Sequence, residues 1–237
     1  MLRYFCFMAV ILGVRSASAP FIKPCKAEDA ACILASAQAA IPILANGIPE
    51  LSVPSLDPMV LKLVTTDEAG LHLALKDNIV TGLKDCTADG VKLDLKKGKL
   101  VVVIRCSVVL RGTYKLSGQL LVFPIQGEGK NTITIRDIII KASTEITNVP
   151  GADGQTHWHI NKWRHTYQVK TSTSFDFDNL FNGNKLLADP VSAFVNSNWR
   201  EVMEDIAQPI VKSIVERVVM AVDAFFAAVP ADQLFIA

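Results

Sequence analysis

The chain has 237 residues, of which 50% are hydrophobic and 20% charged, and its mean hydropathy is +0.32. Its formal charge of +1 gives no basic excess of the kind that nucleic-acid binders carry, and 7% aromatic content gives no evident base-stacking platform. Such a composition points instead to a large buried apolar surface, in some proteins with an apolar cavity.

The first segment reads as a cleavable leader. Arg3 supplies the positive end, and Tyr4 to Val14 is apolar but shorter than the roughly 20 residues that span a bilayer. Ala17-Ser18-Ala19 offers a small-residue cleavage site. Pro20 is disfavoured directly after a cut, so the mature chain is expected to start near residues 18 to 20. Residues 1–19 are read as signal peptide and 20–237 as a single domain.

Export places the remaining cysteines, Cys25, Cys32, Cys86 and Cys106, in an oxidising compartment where disulfides are expected. Four cysteines allow three connectivities. Local pairing favours Cys25 with Cys32 and Cys86 with Cys106, with free buried thiols at Cys86 and Cys106 as the alternative. The spacing lacks the close cysteine knuckles of a structural zinc site.

Residues 28–46 read as a helix capped by Asp29, bent or interrupted at Pro42 and ended by Gly47. Pro49, Pro54 and Pro58 then mark an extended linker. The middle of the chain alternates with period two. Leu71, Leu73 and Leu75 form one run, Val91, Leu93 and Leu95 another, and Leu100 to Leu110 a third. Tyr114, Leu116, Leu120 and Val122 repeat the pattern, which continues from Trp158 to about Phe177. This is the signature of half-buried antiparallel strands. The phase slips at Arg136-Asp137, as at a β-bulge. Turns are expected at Lys97-Gly98, Gly127-Glu128-Gly129 and Gly151–Gly154.

The last fifth reads as one helix. Asp189 caps it, Pro190 sits at its first position, Pro209 kinks it and Pro230 ends it. It covers about 39 residues, roughly 58 Å long. Lys212, Glu216, Arg217 and Asp223 break its apolar run, so no membrane span is expected. Only the sheet is long enough to cover such a stripe. The fold class is therefore α+β, with a long C-terminal helix wrapped by a highly curved antiparallel sheet and an apolar channel between them.

No nucleophile elbow, phosphate loop, dinucleotide fingerprint or paired carboxylate occurs, so no enzyme activity is expected. No cofactor and no metal site is expected either. His157 and His159 share a strand face, but that face reads as a solvated one opposite Trp158. Lys162-Trp163-Arg164-His165 reads as an ordinary strand edge, with contact to an anionic membrane as the alternative. Ligand contacts fall to apolar helix positions: Phe194, Trp199, Met203 and Ile206, then Val218, Val222 and Phe225. Trp199 and Met203 are preferred, because an amphipathic ring and a flexible thioether adapt to varied apolar ligands.

Several short motifs, in order and spacing, resemble the insect takeout and juvenile-hormone-binding protein family. They are Cys25 and Cys32, Ala45-Asn46-Gly47-Ile48-Pro49-Glu50-Leu51, Leu56-Asp57-Pro58, Asn179-Leu180-Phe181-Asn182-Gly183-Asn184, Asn198-Trp199 and Val229-Pro230. The resemblance implies half of a bactericidal/permeability-increasing-type lipid-binding fold, a Cys25–Cys32 bridge and an internal tunnel for a lipid or terpenoid. It also implies secretion into haemolymph or a similar fluid and a link to circadian, feeding or chemosensory physiology. Hormone-binding members carry a second bridge from late positions. The absence of cysteine after Cys106 favours the takeout branch. The expected partners are a small hydrophobic ligand and a receptor that the sequence does not identify; nucleic acid and stable membrane insertion are not expected. The rival readings are a secreted membrane- or lipopolysaccharide-binding defence protein and an interaction protein with a solid core.

Overall fold

A computed structural model describes residues 18–68 and 70–236. The leader assigned to residues 1–19 lies outside the described residues except for its last two positions. The elements are β1 (Cys25–Lys26), α1 (Ala30–Asn46), β2 (Met59–Glu68), β3 (Leu71–Thr81), β4 (Thr87–Asp94), β5 (Lys99–Leu120), β6 (Phe123–Pro150), β7 (Thr156–Phe177), α2 (Lys185–Ser197), α3 (Trp199–Ala228), α4 (Ala231–Leu234) and β8 (Phe235–Ile236).

Six strands form one antiparallel sheet in the order β2-β3-β5-β6-β7, with β4 also paired to β5. Helix α3 packs against both β7 and β2, the two ends of that order, so the sheet curves round it. The curvature has a visible cause. Register shifts fall at Lys76/Ile79 in β3, Cys106/Val108 in β5 and Arg136/Ile138 in β6, where neighbouring strands lie side by side. Each adds a local bend and twist, and together they crease the sheet across its width. Asp137 takes a left-handed backbone at the crease (φ 56°). Its carboxylate and that of Asp89 hold the Arg105 guanidinium, which stays protonated more firmly than usual because of those hydrogen bonds.

Alternation along the strands puts Leu73, Leu75, Leu110, Ile133, Ile135 and Ile138 inward against Val202, Ile206 and Ile210 of α3 in one core. The Tyr114 hydroxyl donates to the Asp178 carbonyl at 2.7 Å and fixes the exit of β7.

Three expectations need correction. Gly127-Glu128-Gly129 is not a turn but the middle of β6; the chain reverses at Leu121-Val122, and Val122 is exposed rather than inward. Glycine is needed there for close approach, since a Cβ on Gly127 would lie 2.5 Å from the Tyr114 hydroxyl and one on Gly129 would lie 2.6 Å from the Asp178 carbonyl. The C-terminal helical run starts earlier, at Lys185, because the Asn184 side chain accepts the Leu186 N–H. Pro190 consequently sits inside α2. The run expected as one helix divides at Asn198. The Asn198 backbone and side-chain N–H groups both turn back onto the Phe194 carbonyl, while α3 continues through Pro209.

Candidate functional site

The two halves of α3 pack differently. Val202, Ile206, Ile210 and Val211 are at most 3% exposed. Val218, Val219 and Val222, farther along, are only half-buried and face an apolar cavity of about 270 Å³. The cavity exists because facing elements present small side chains where longer ones would meet: Ala37 and Ala40 on α1, Ala88 on β4 and Ala142 on β6. Leu100, Val102 and Ile104 of β5, with Phe225 and Phe226 of α3, complete much of the wall.

Among the described residues Thr144 is the single polar side chain in that lining, and its hydroxyl already donates to the Leu100 carbonyl at 3.2 Å. No ionisable group among the described residues lines the cavity. Its chemistry is therefore desolvation and dispersion, with no group placed to abstract a proton or attack a carbonyl. An apolar lining of this kind suits apolar ligands.

The wall is fastened at three places. The Cys86 and Cys106 sulfurs are joined, and Cys86 lines the cavity. Gln38 of α1 clips the β4 side, donating to the Cys86 carbonyl at 3.4 Å and accepting the Ala88 N–H at 2.7 Å. Cys25 and Cys32 are also joined, and they tie β1 to α1. β1 in turn pairs in parallel with β8 at the end of the chain.

Two further pockets adjoin the cavity toward the surface. A smaller pocket of about 150 Å³ shares Ile22, Ala37, Leu100, Val102, Phe225 and Phe226 with it. That pocket shares Leu93, Trp158 and Phe235 with an open one at the molecular surface, where Lys97, Gly98 and Asp232 also stand. Lys23 and Ser36 also line the middle pocket, so polar groups increase outward from an inner cavity that is almost wholly apolar.

Val218, Val222 and Phe225 line the cavity. Phe194, Trp199, Met203 and Ile206 are not in its lining. Phe194 packs at a tilt against Phe123 with centroids 4.5 Å apart, and the Arg200 guanidinium lies 4.4 Å above the Trp199 ring. Met203 and Ile206 are buried in the close-packed half of the core. Helical spacing marks an inward face but not whether the facing residues are large or small. The missed lining residues are alanines on the facing elements, together with leucines and isoleucines. The pair Ala37 and Ala40, three apart in α1, was the available signal.

His157 corrects the reading of a solvated face. It is 4% exposed, with Nδ1 3.4 Å from the Phe226 carbonyl and Nε2 3.1 Å from Asp153. The Gln155 N–H, partly opposed by burial and assisted by His157, holds the Asp153 carboxyl below its ordinary range. His159 meets Asp223 instead. Among the described residues no group of three or more metal-ligating side chains assembles.

The sequence profile described as haemolymph juvenile hormone binding protein (JHBP) matches residues 4–236. The circadian clock-controlled protein daywake of Drosophila melanogaster is 28% identical over 226 residues, covering 90% of this chain and 86% of that protein. The daywake protein of Drosophila yakuba is 28% identical over 231 residues, with the same coverage of 90% and 86%. The crystal structure of Epiphyas postvittana Takeout 1 superposes with a TM-score of 0.88 at 31% identity, covering 91% of this chain and all of that one.

Proposed function

Because the chain belongs to the haemolymph juvenile hormone binding protein family, whose members bind hydrophobic ligands, we propose that it is a secreted carrier of a small apolar molecule held in the cavity between α1, β5 and α3. The observation that carries this reading is the cavity of about 270 Å³ whose one polar side chain has already spent its hydroxyl on a backbone carbonyl. Burial there stabilises a ligand by roughly 25 cal/mol per Å² of apolar area removed from water. Nothing in the wall selects a buried charge, so the ligand is a lipid or terpenoid whose polar end, where it has one, points toward the outer pocket near Lys97 and Asp232.

Two disulfides support an extracellular setting. No helix among the described residues is long and apolar enough to cross a membrane. Residues 1–19 act as the export signal in this reading, and 20–237 as a single carrier domain. Likeness to the two daywake proteins, described as clock-controlled, supports a role tied to daily physiology.

Native mass spectrometry of protein taken from its source, followed by organic extraction, tests the proposal. The expected result is a stoichiometric apolar molecule, and uptake of a fluorescent apolar probe once that molecule is stripped. Protein that retains nothing and takes up no apolar probe overturns it.

A further inference from the structure

The geometry points to the β4–β5 hairpin as a docking surface for anionic phospholipid bilayers, one that seats the outer end of the cavity series on the membrane. From Lys92 to Lys99 the hairpin holds four lysines and one aspartate, in a chain whose basic and acidic residues otherwise nearly balance. All four lysines are exposed. Lys97 reaches Asp94 at 3.8 Å, whereas among the described residues Lys92, Lys96 and Lys99 make no ion pair. Leu95 stands at the tip between these charges and is 39% exposed. An apolar side chain ringed by lysines suits a phospholipid surface: the ammonium groups meet phosphate while the leucine enters the acyl boundary.

The position of the hairpin supplies the second argument. Leu93, Leu95, Lys97 and Gly98 line the outermost pocket, and that pocket shares Leu93, Trp158 and Phe235 with the next one inward. A bilayer held by the lysines would therefore face the apolar series directly. An acidic protein would satisfy the lysines but would leave Leu95 and that opening against water. Nearby acids shape the patch. Asp232 lies across the outer pocket, and Glu145 sits opposite Lys99 in register and reaches Lys162 at 3.9 Å. Charge on the β7 side is thereby partly cancelled, and the attraction concentrates on the hairpin.

The docking itself does not depend on the carrier function; its use in loading or delivering a ligand rests on that reading. Flotation of the full chain with vesicles of phosphatidylcholine, with or without about one third phosphatidylserine, tests it. Salt-sensitive binding is expected with the anionic vesicles and none with phosphatidylcholine alone. The triple variant Lys96→Glu/Lys97→Glu/Lys99→Glu should bind at least about 100-fold more weakly, while Lys162→Glu/Arg164→Glu should bind nearly as wild type. Leu95→Ser, a milder change at an exposed site, should weaken binding with the salt dependence kept. Wild-type protein that ignores anionic vesicles, or a triple variant that binds them as wild type does, overturns the proposal. So does a loss as large in the β7 variant, or a hairpin whose charge reversal abolishes capture by acidic polypeptides but not by vesicles. Apolar-probe uptake measured on the same samples separates the two readings: vesicle binding without uptake leaves docking standing and removes the carrier, and uptake without vesicle binding does the reverse.

Discussion

The Asp223 carboxylate of α3 accepts the Ile160 N–H of β7 at 2.7 Å. β7 is a terminal strand of the sheet, and among the described residues no strand neighbours its outward backbone groups. The helix supplies partners in place of one. Both Asp223 oxygens also lie 3.1 Å from His159 Nδ1, and Asn196 of α2 brackets Phe175 through bonds of 2.8 and 2.9 Å. An unpartnered backbone group at a sheet edge invites pairing with another chain. Asp223→Ala should therefore cost about 1–3 kcal/mol in chemical denaturation. Asp223→Asn, which keeps an acceptor for Ile160, should cost less. Equal denaturation midpoints for both variants and wild type would show that the contact is incidental.

The two bridges should contribute unequally. They close loops of 7 and 20 residues, and loop-closure entropy gives about 2 and about 3 kcal/mol respectively. Replacing Cys86 and Cys106 together by alanine should thus lower stability more than replacing Cys25 and Cys32. It should also loosen the cavity wall, since Cys86 lines it. A larger loss from the Cys25/Cys32 pair would place the stabilising role in the β1–α1 clasp instead.

Tyr114 should titrate late. Burial, followed by the charge of Asp178, pushes its hydroxyl up to about 12. The unfolded chain releases this proton near 10. Between those values the folded state holds one more proton than the unfolded state, so stability falls as pH rises through that window and is unaffected by this group below it. Tyr114→Phe should flatten that part of the stability–pH curve, with tyrosinate absorbance as the direct readout. A curve unchanged by the substitution would exclude Tyr114 as its source.

The strands were legible because inward leucines and isoleucines alternate with polar residues over long stretches, and because the slip at Arg136-Asp137 marks a real crease. β2 was not, since its start at Met59 follows three prolines that read as linker and its exposed Leu63 blurs the alternation. Glycine is ambiguous by nature. Gly98 permits a turn, whereas Gly127 permits Tyr114 to cross a flat strand. The division at Asn198 depends on a side chain folding back onto Phe194, which local propensity does not rank above a proline. The ligand site was the least legible feature. Val222 and Ile206 both belong to the apolar residues of α3, and what marks Val222 as cavity lining is Ala142 and Ala37 across the gap, neighbours set only in three dimensions.

His165 should make the protein acid-sensitive. Burial, then the charge of Lys212, lowers its affinity for a proton, and its Nε2 has no hydrogen-bond partner among the described residues. Trp163 and Tyr167 flank its ring on the same strand face. The unfolded chain protonates this residue near 6.5. As pH falls below that value the unfolded state binds the proton first, so stability declines until the folded ring titrates as well. Lys212→Gln should raise the folded value and shrink the decline, as read by NMR titration of the imidazole together with acid denaturation. An imidazole titrating at the ordinary value in wild type would remove the basis for the effect.

Cavity and core positions should separate cleanly on mutation. Ala142→Phe places a ring in a space of about 270 Å³, and apolar-probe affinity should fall by at least about ten-fold, equivalent to about 1.4 kcal/mol. Met203→Ala should act the other way. Met203 is 5% exposed in the packed half of the core, so its truncation should cost about 2–5 kcal/mol of stability while probe affinity at a permissive temperature stays close to wild type. Val222→Ala, which enlarges the cavity rather than filling it, should tolerate bulkier probes than wild type. Fluorescence titration beside thermal denaturation reads all three. If Met203→Ala abolished uptake while Ala142→Phe left it intact, the ligand would sit beside the N-terminal half of α3, and the cavity near Val222 would be a packing defect.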